Sequence, residues 1–216
     1  MKKVSFFLLT GLLLTACGDE TTEEPTEEVT ETMPAEGTTE RVETEDVEIV
    51  EEIPVTEDPM EIANKNSEYE LFLDENYNEY QVVGRYTSED TNDEGFNEVS
   101  FKGYDFTYSV LALQDTVTGD EFVAIAGETV NNTQETVQFN ADAEIVTDTQ
   151  EQASTQDGVG ESQPTVKKKA FVTIPLEYGI PNSFEMTLDA PFKSIGDYQY
   201  EEGHFGESVK LSFTKE

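Results

Sequence analysis

Apolar residues in the second half of the chain fall on alternate positions. Tyr104-Asp-Phe-Thr-Tyr-Ser-Val110 places Tyr104, Phe106, Tyr108 and Val110 on one face of an extended segment. Ser183 to Asp189 repeats the pattern with Phe184, Met186 and Leu188 inward. The final run sets Val209, Leu211 and Phe213 against Lys210 and Ser212. Phe122-Val-Ala-Ile-Ala126, inside Glu121 to Val130, is more continuously apolar and reads as a central strand buried on both faces. Asn131-Asn132 then marks a turn. Tyr80 to Tyr86, Thr136 to Phe139, Ala143 to Val146 and Ala170 to Pro175 complete the predicted strands, the last closed by proline. Period-two alternation with turn residues between the runs predicts an all-β sandwich. The best helical candidate, Pro59 to Leu73, begins with proline but spaces Ile62, Tyr69, Phe72 and Leu73 poorly for one helix face. Residues 148–166 are rich in Gln, Ser, Thr and Gly, contain no aromatic residue, and read as a flexible loop.

No such pattern precedes residue 59. Residues 17–58 repeat Thr, Glu and Pro, with Arg41 the only basic residue and no aromatic side chain. A segment of this kind buries too little apolar surface to offset its ordering entropy, so it reads as a disordered acidic tether. About 40 flexible residues span roughly 35 Å in root-mean-square terms, and like-charge repulsion extends that. Val47, Ile49, Ile53 and Val55 are scattered among glutamates without a clear element. The expected organisation is therefore a leader over residues 1–16, a tether over 17–58 and one sandwich domain over 59–216.

The leader is an uncharged run from Val4 to Ala16 behind Lys2 and Lys3. A bilayer-spanning helix needs about 20 apolar residues, whereas a run of about 13 suits a secretory signal. It ends in Leu14-Thr15-Ala16-Cys17, and Cys17 is the only cysteine. This junction resembles the lipobox of bacterial lipoproteins. The resemblance implies that the Cys17 thiol accepts a diacylglyceryl group. It also implies that Leu14, Thr15 and Ala16 are read by the lipoprotein signal peptidase, which cuts before Cys17. Two acyl chains, each buried methylene contributing about 0.8 kcal/mol, give lasting attachment where one chain gives marginal attachment. The expected location is the extracytoplasmic face of the cell membrane, of Gram-positive type, with no thiol left for a disulfide.

A second resemblance covers about residues 98–215. Phe122-Val-Ala-Ile125 leads into Glu128-Thr-Val-Asn-Asn132, another short strand and a Thr/Asp-rich turn; later come Lys169-Ala-Phe-Val-Thr-Ile-Pro175 and Phe184-Glu-Met-Thr-Leu188. This is similar to the immunoglobulin-like domains of unknown function carried by lipoproteins of Gram-positive bacteria. It implies an immunoglobulin-like β-sandwich and brings no catalytic residue with it. Asp148-Thr149 stands where those domains usually have glycine after the second strand.

Charge narrows the partners. Lys plus Arg is 12 and Asp plus Glu is 48, a formal net charge of −36. Such a chain does not suit nucleic acid or anionic lipid, both of which attract basic surfaces. It suits cations, basic proteins or cationic polymers, and it keeps an exported domain soluble and monomeric. Chemistry-bearing motifs are sparse. His204, the only histidine, lies in Glu201-Glu-Gly-His-Phe-Gly206 and reads as an exposed loop residue. There is no Gly-x-Ser-x-Gly elbow, and with Cys17 acylated the usual nitrogen and sulfur zinc ligands are missing. Asp90, Asn92 and Glu94 followed by Gly95 match the opening of a calcium loop, but the twelfth position is Phe101 rather than glutamate. Asn131-Asn132-Thr133 matches a glycosylation sequon. The aromatics Tyr69, Phe72, Tyr77, Tyr80 and Tyr86 are expected to pack on the sandwich. The function expected is a membrane-anchored, non-enzymatic interaction module without a cofactor, binding another envelope protein or a wall component. The alternative is an accessory receptor for a ligand or cation.

Overall fold

A computed structural model describes residues 52–155, 158–196 and 199–216. Leu14, Thr15, Ala16, Cys17 and most of the span read as a tether lie outside the described residues. Strand β1 is Val55–Thr56, followed by helix α1 at Pro59–Ala63, β2 at Leu71–Leu73 and β3 at Glu79–Thr87. Then come β4 at Asn97–Phe101, β5 at Tyr104–Asp115, β6 at Glu121–Asn131, β7 at Val137–Phe139 and β8 at Ala143–Thr147. β9 is Gln152–Thr155, β10 Gly160–Ser162, β11 Lys167–Pro175 and β12 Ser183–Leu188. β13 is Phe192–Gly196, β14 Gln199–His204 and β15 Val209–Lys215.

The chain is all-β, as its alternation predicts, and its sheets pack as a sandwich that tends toward a barrel. The larger sheet runs β11-β6-β5-β3-β15-β12-β8-β9, with β2 and β1 added beyond β3 and β4 hairpinned onto β5. Among the described residues every pairing is antiparallel except β1 with β2. The sheet curls until β9 lies beside β11, although no ladder joins them among the described residues. The smaller sheet, β10-β7-β13-β14, packs against the start of β5. There the Phe139 ring lies 5.3 Å from Phe106 and 5.4 Å from Tyr104.

Two cores flank β5 and β6. Tyr104, Phe106, Tyr108, Val110, Val123 and Ile125 fill the space between the sheets. Leu111, Leu113, Ala124 and Ala126 point the other way, onto Ile62, Phe72 and Tyr80. The central strand read from Glu121 to Val130 is thus covered on both sides. Its Gly127 faces Tyr108; a Cβ there would sit 2.1 Å from the Thr107 carbonyl oxygen.

Three expectations change. The helix spans only Pro59–Ala63, because Asp58 caps its start by accepting the Met60 amide at 3.0 Å and Asn64 leaves the helical conformation. The apolar residues Leu71 to Leu73, expected in that helix, are drawn into the sheet by pairing with β3. The domain also begins before residue 59: Val55 pairs with Leu71, and the buried Thr56 hydroxyl donates to Glu61 Oε2 at 2.5 Å. Finally, residues 148–166 contain β9 and β10. Val159 packs into the main core, and Lys168 Nζ holds the carbonyls of Val159 and Glu161 at 2.5 and 3.0 Å.

Candidate functional site

The motifs found in sequence are occupied by structural work. Asn92 Oδ1 accepts the amides of Glu94 and Phe96 at 2.9 and 3.0 Å, so it closes its own turn. The Asp90 amide donates to Ser88 Oγ, and Asn97 Oδ1 takes hydroxyl bonds from Ser88 and Thr91 at 2.7 and 2.9 Å. Asn92 lines a cleft of about 190 Å³ in which Lys65 and Arg85 offset the charges of Asp93 and Glu216. Arg85 itself donates to the carbonyls of Ile62 and Ala63 at 2.8 and 3.0 Å, capping α1, and burial lowers its pKa. Among the described residues no three His, Cys, Asp or Glu side chains are grouped closely enough to hold a metal.

Asn131 of the sequon is fully buried, and its Nδ2 donates to the carbonyls of Glu135 and Ser162 at 2.9 and 2.8 Å. The sequon asparagine is thus a loop clamp. His204 is not a loop residue but the last residue of β14, because that strand pairs back onto Phe192. Its side chain is exposed, with Nδ1 2.7 Å from the Ala190 carbonyl and the ring 4.5 Å from Phe192. Asp142 lies near it; burial raises the Asp142 pKa, and Asp189 adds to the rise. Tyr69, Phe72, Tyr80 and Tyr86 pack into the cores as expected, whereas Tyr77 does not.

Tyr77 leads to the feature that sequence reasoning missed. It is 79% exposed at the tip of the β2–β3 turn. Val117, 88% exposed, tips the β5–β6 turn, and Tyr178, 73% exposed, lies in the β11–β12 loop. Topology brings the three to one end of the larger sheet. The start of β3 pairs with the end of β5, and the end of β11 pairs with the start of β6. At about 4.8 Å per strand, the tips span roughly 20 Å from β2 to β11. Direct bonds tie the loops together. The Thr116 amide and hydroxyl reach Glu79 O and Oε1 at 3.0 and 2.8 Å, and the Leu176 amide reaches the Glu121 carbonyl at 3.0 Å. The Glu177 amide donates to Glu151 Oε1 at 2.7 Å, which brings the β8–β9 turn to the same end.

Each tip is held from below by an acidic side chain or a tyrosine. Asp74 Oδ1 accepts the amides of Asn76 and Asn78 at 2.8 and 2.9 Å, and Tyr77 takes a left-handed φ of 63°. Asp115 Oδ1 accepts the amides of Thr118 and Val117 at 2.7 and 2.8 Å, and these two bonds hold its pKa below the ordinary carboxylate value. The buried Tyr86 hydroxyl donates to the Pro181 carbonyl at 2.9 Å and fixes the loop carrying Tyr178. Segments 74–79, 115–121, 147–151 and 176–182 contain no lysine or arginine, and each contains at least one carboxylate. Preset loops bearing exposed aromatic and aliphatic tips in an acidic field are suited to gripping a partner, since little ordering entropy remains to be lost on binding. A local sequence signal existed: Asn76-Tyr77-Asn78 and Thr116-Val117-Thr118 set single apolar residues inside polar turns. Their meeting at one end was not encoded locally. Compared with protein-family models, with curated proteins and with solved structures, the chain shows no significant match to any.

Proposed function

We propose that this chain is a membrane-anchored extracytoplasmic lipoprotein whose β-domain acts as a non-enzymatic interaction module in the cell envelope. The loop end formed by Tyr77, Val117 and Tyr178 is its docking face. The observation that carries the docking reading is the exposure of three large apolar side chains on neighbouring, internally braced loops. The anchoring reading rests on Leu14-Thr15-Ala16-Cys17 at the end of a short apolar run. Among the described residues no helix is long and apolar enough to cross a membrane. Strand β1 runs parallel to β2 and hence toward the loop end.

Two measurements test the halves of this reading separately. In cells fed a labelled fatty acid, the parent chain takes up label and Cys17→Ala takes up none; a labelled variant refutes the anchor. A photoreactive phenylalanine analogue at Tyr77 or Val117 yields defined cross-linked bands in intact cells, whereas the same analogue at Ile195, 55% exposed on β13 of the smaller sheet, does not. Equal yields at all three positions, or none at the first two, refute the docking face.

A further inference from the structure

Strand β5 gives one whole edge to β6 and divides the other between β3, along residues 110–115, and β4, along residues 104–108. β4 therefore continues the line of β3 after the chain leaves the sheet. β15 pairs with the far edge of β3 only at Thr214 and Lys215, opposite Thr87 and Tyr86. Its earlier residues run on past the end of β3, beside β4. Extending the ladders sets Leu211 level with Val99 and Val209 level with Phe101. No ladder joins these two strands. Over most of this stretch their Cα atoms lie more than 8 Å apart, whereas paired strands lie about 4.8 Å apart. The larger sheet is thus open at the end away from Tyr77, Val117 and Tyr178.

The hydrogen-bond alternation shows which groups the opening leaves bare. The Asn132 amide donates to the Gly103 carbonyl and the Asp115 amide to the Asp120 carbonyl, both at 2.9 Å, so odd-numbered residues of β5 bond to β6. Even-numbered ones bond to Asn97, Val99 and Phe101, and the amides and carbonyls of Glu98 and Ser100 point into the opening. On β15 the Lys215 amide donates to the Asn182 carbonyl at 2.8 Å, so odd-numbered residues bond toward β12. The backbone groups of Lys210 and Ser212 therefore point into the opening from the other side. Among the described residues none of these four has a backbone partner there. Val99, Phe205, Val209 and Leu211 pack on the main core but are only partly buried. On the outer face Lys210 is paired with Glu185 at 2.9 Å, while Glu98 and Asp105 make no salt bridge among the described residues.

We propose that an extended segment of another protein fills this opening as an added strand. It bonds to β4 through Glu98 and Ser100 and to β15 through Lys210 and Ser212, since unpaired edges are templates for a strand. Its alternate apolar side chains cover Val99 and Leu211, and a basic side chain between them faces Glu98 and Asp105. A second copy of this chain is a poor occupant, because two chains of formal charge −36 repel each other. The proposal does not depend on the loop-end docking face.

The test follows amide hydrogen exchange by nuclear magnetic resonance in the full ¹⁵N-labelled chain. Alone, the amides of Glu98, Ser100, Lys210 and Ser212 should exchange far faster than the paired amides of Val99 and Leu211. Equal protection would show that the sheet is closed and overturn the proposal. Slowing that grows with protein concentration would assign the opening to a second copy, which overturns the named occupant. Blocked Thr-Val-Lys-Val-Thr peptide, added up to about 1 mM, should slow all four amides. A counterpart N-methylated at both valines lacks two ladder donors and should bind at least about tenfold more weakly. A counterpart with glutamate for lysine should bind about two- to fivefold more weakly. No slowing by the lysine peptide, equal binding of the N-methylated form, equal binding of the glutamate form, or slowing confined to residues 74–79, 115–121 and 176–182 would overturn the added strand.

Discussion

Gly127→Ala adds one methyl group where the two longest strands meet. Gly127 lies opposite Tyr108 in the β5–β6 ladder, which runs from Tyr104–Asn131 to Gln114–Glu121. The new Cβ would lie 2.1 Å from the Thr107 carbonyl oxygen and 2.7 Å from Tyr108 Cα. Carbon–oxygen contacts in sheets are about 3.3 Å or more, so the strands must part locally by about 1 Å. Both neighbours are backbone in the middle of the sheet, with cores on both faces, so neither can rotate away. Overpacking of this kind costs about 1–3 kcal/mol, and weakening one or two ladder hydrogen bonds adds about 1 kcal/mol each. Alanine returns about 0.5–1 kcal/mol of the backbone entropy that glycine loses on folding. The clash wins, leaving a loss of about 3 kcal/mol, or a fall in Tm of roughly 6–12 °C for a domain of this size. Gly158→Ala is the control: its Cβ would lie 3.6 Å from the nearest atoms, an ordinary contact. It should therefore leave stability unchanged or raise it by up to about 1 kcal/mol. Thermal unfolding of the full chain followed by far-ultraviolet circular dichroism reads both. A Gly127→Ala melt within about 2 °C of the parent, or an equal fall in Gly158→Ala, refutes the close-approach reasoning.

Alkaline unfolding and the second core give two further tests. Burial pushes the Tyr104 hydroxyl up to about 12 and raises those of Tyr86 and Tyr108 as well. The folded state thus favours the neutral phenols. Their contribution is complete below about pH 10 and lost as pH rises toward and past 12, at about 1.4 kcal/mol per pH unit for each group. Urea midpoints measured from pH 8 to 12 should hold and then fall; a flat profile contradicts the burial of these hydroxyls. Ile62→Ala empties a fully buried position beneath α1 and should cost about 2–5 kcal/mol, detectable as a lower urea midpoint. A change under about 0.5 kcal/mol would show that α1 does not close the second core.

Period-two alternation was sufficient for the class of fold and for most long strands. A residue such as Phe106 or Met186 carries its facing direction in its immediate neighbours, because successive side chains of a strand point to opposite sides. Glu121 to Val130 likewise announced burial on both faces by its continuous apolar run. The short strands were not legible. Leu71 to Leu73 is too short and too uniformly apolar to show a period, Gln152–Thr155 and Gly160–Ser162 carry too few apolar residues, and only pairing with β3, β8 and β7 makes these segments strands. The helix was overextended for the same reason: propensity is weak where a neighbouring strand offers hydrogen bonds.

The sequence by itself determined composition, the all-β class, the acidic charge and the short apolar run ending in Cys17, because each is a property of residues close together in the chain. Only the tertiary structure decided where the exposed apolar tips lie. Tyr77, Val117 and Tyr178 are separated by dozens of residues. They share one end because β3 pairs with β5, β5 with β6 and β6 with β11. Glu98 and Ser212 are ordinary letters in alternating strands, and become distinctive only when β3 ends and leaves their backbone groups unpaired across an opening in the sheet. Strand pairing is a long-range choice governed by which partner edges and core faces come together, and that choice turned scattered turn residues into a surface.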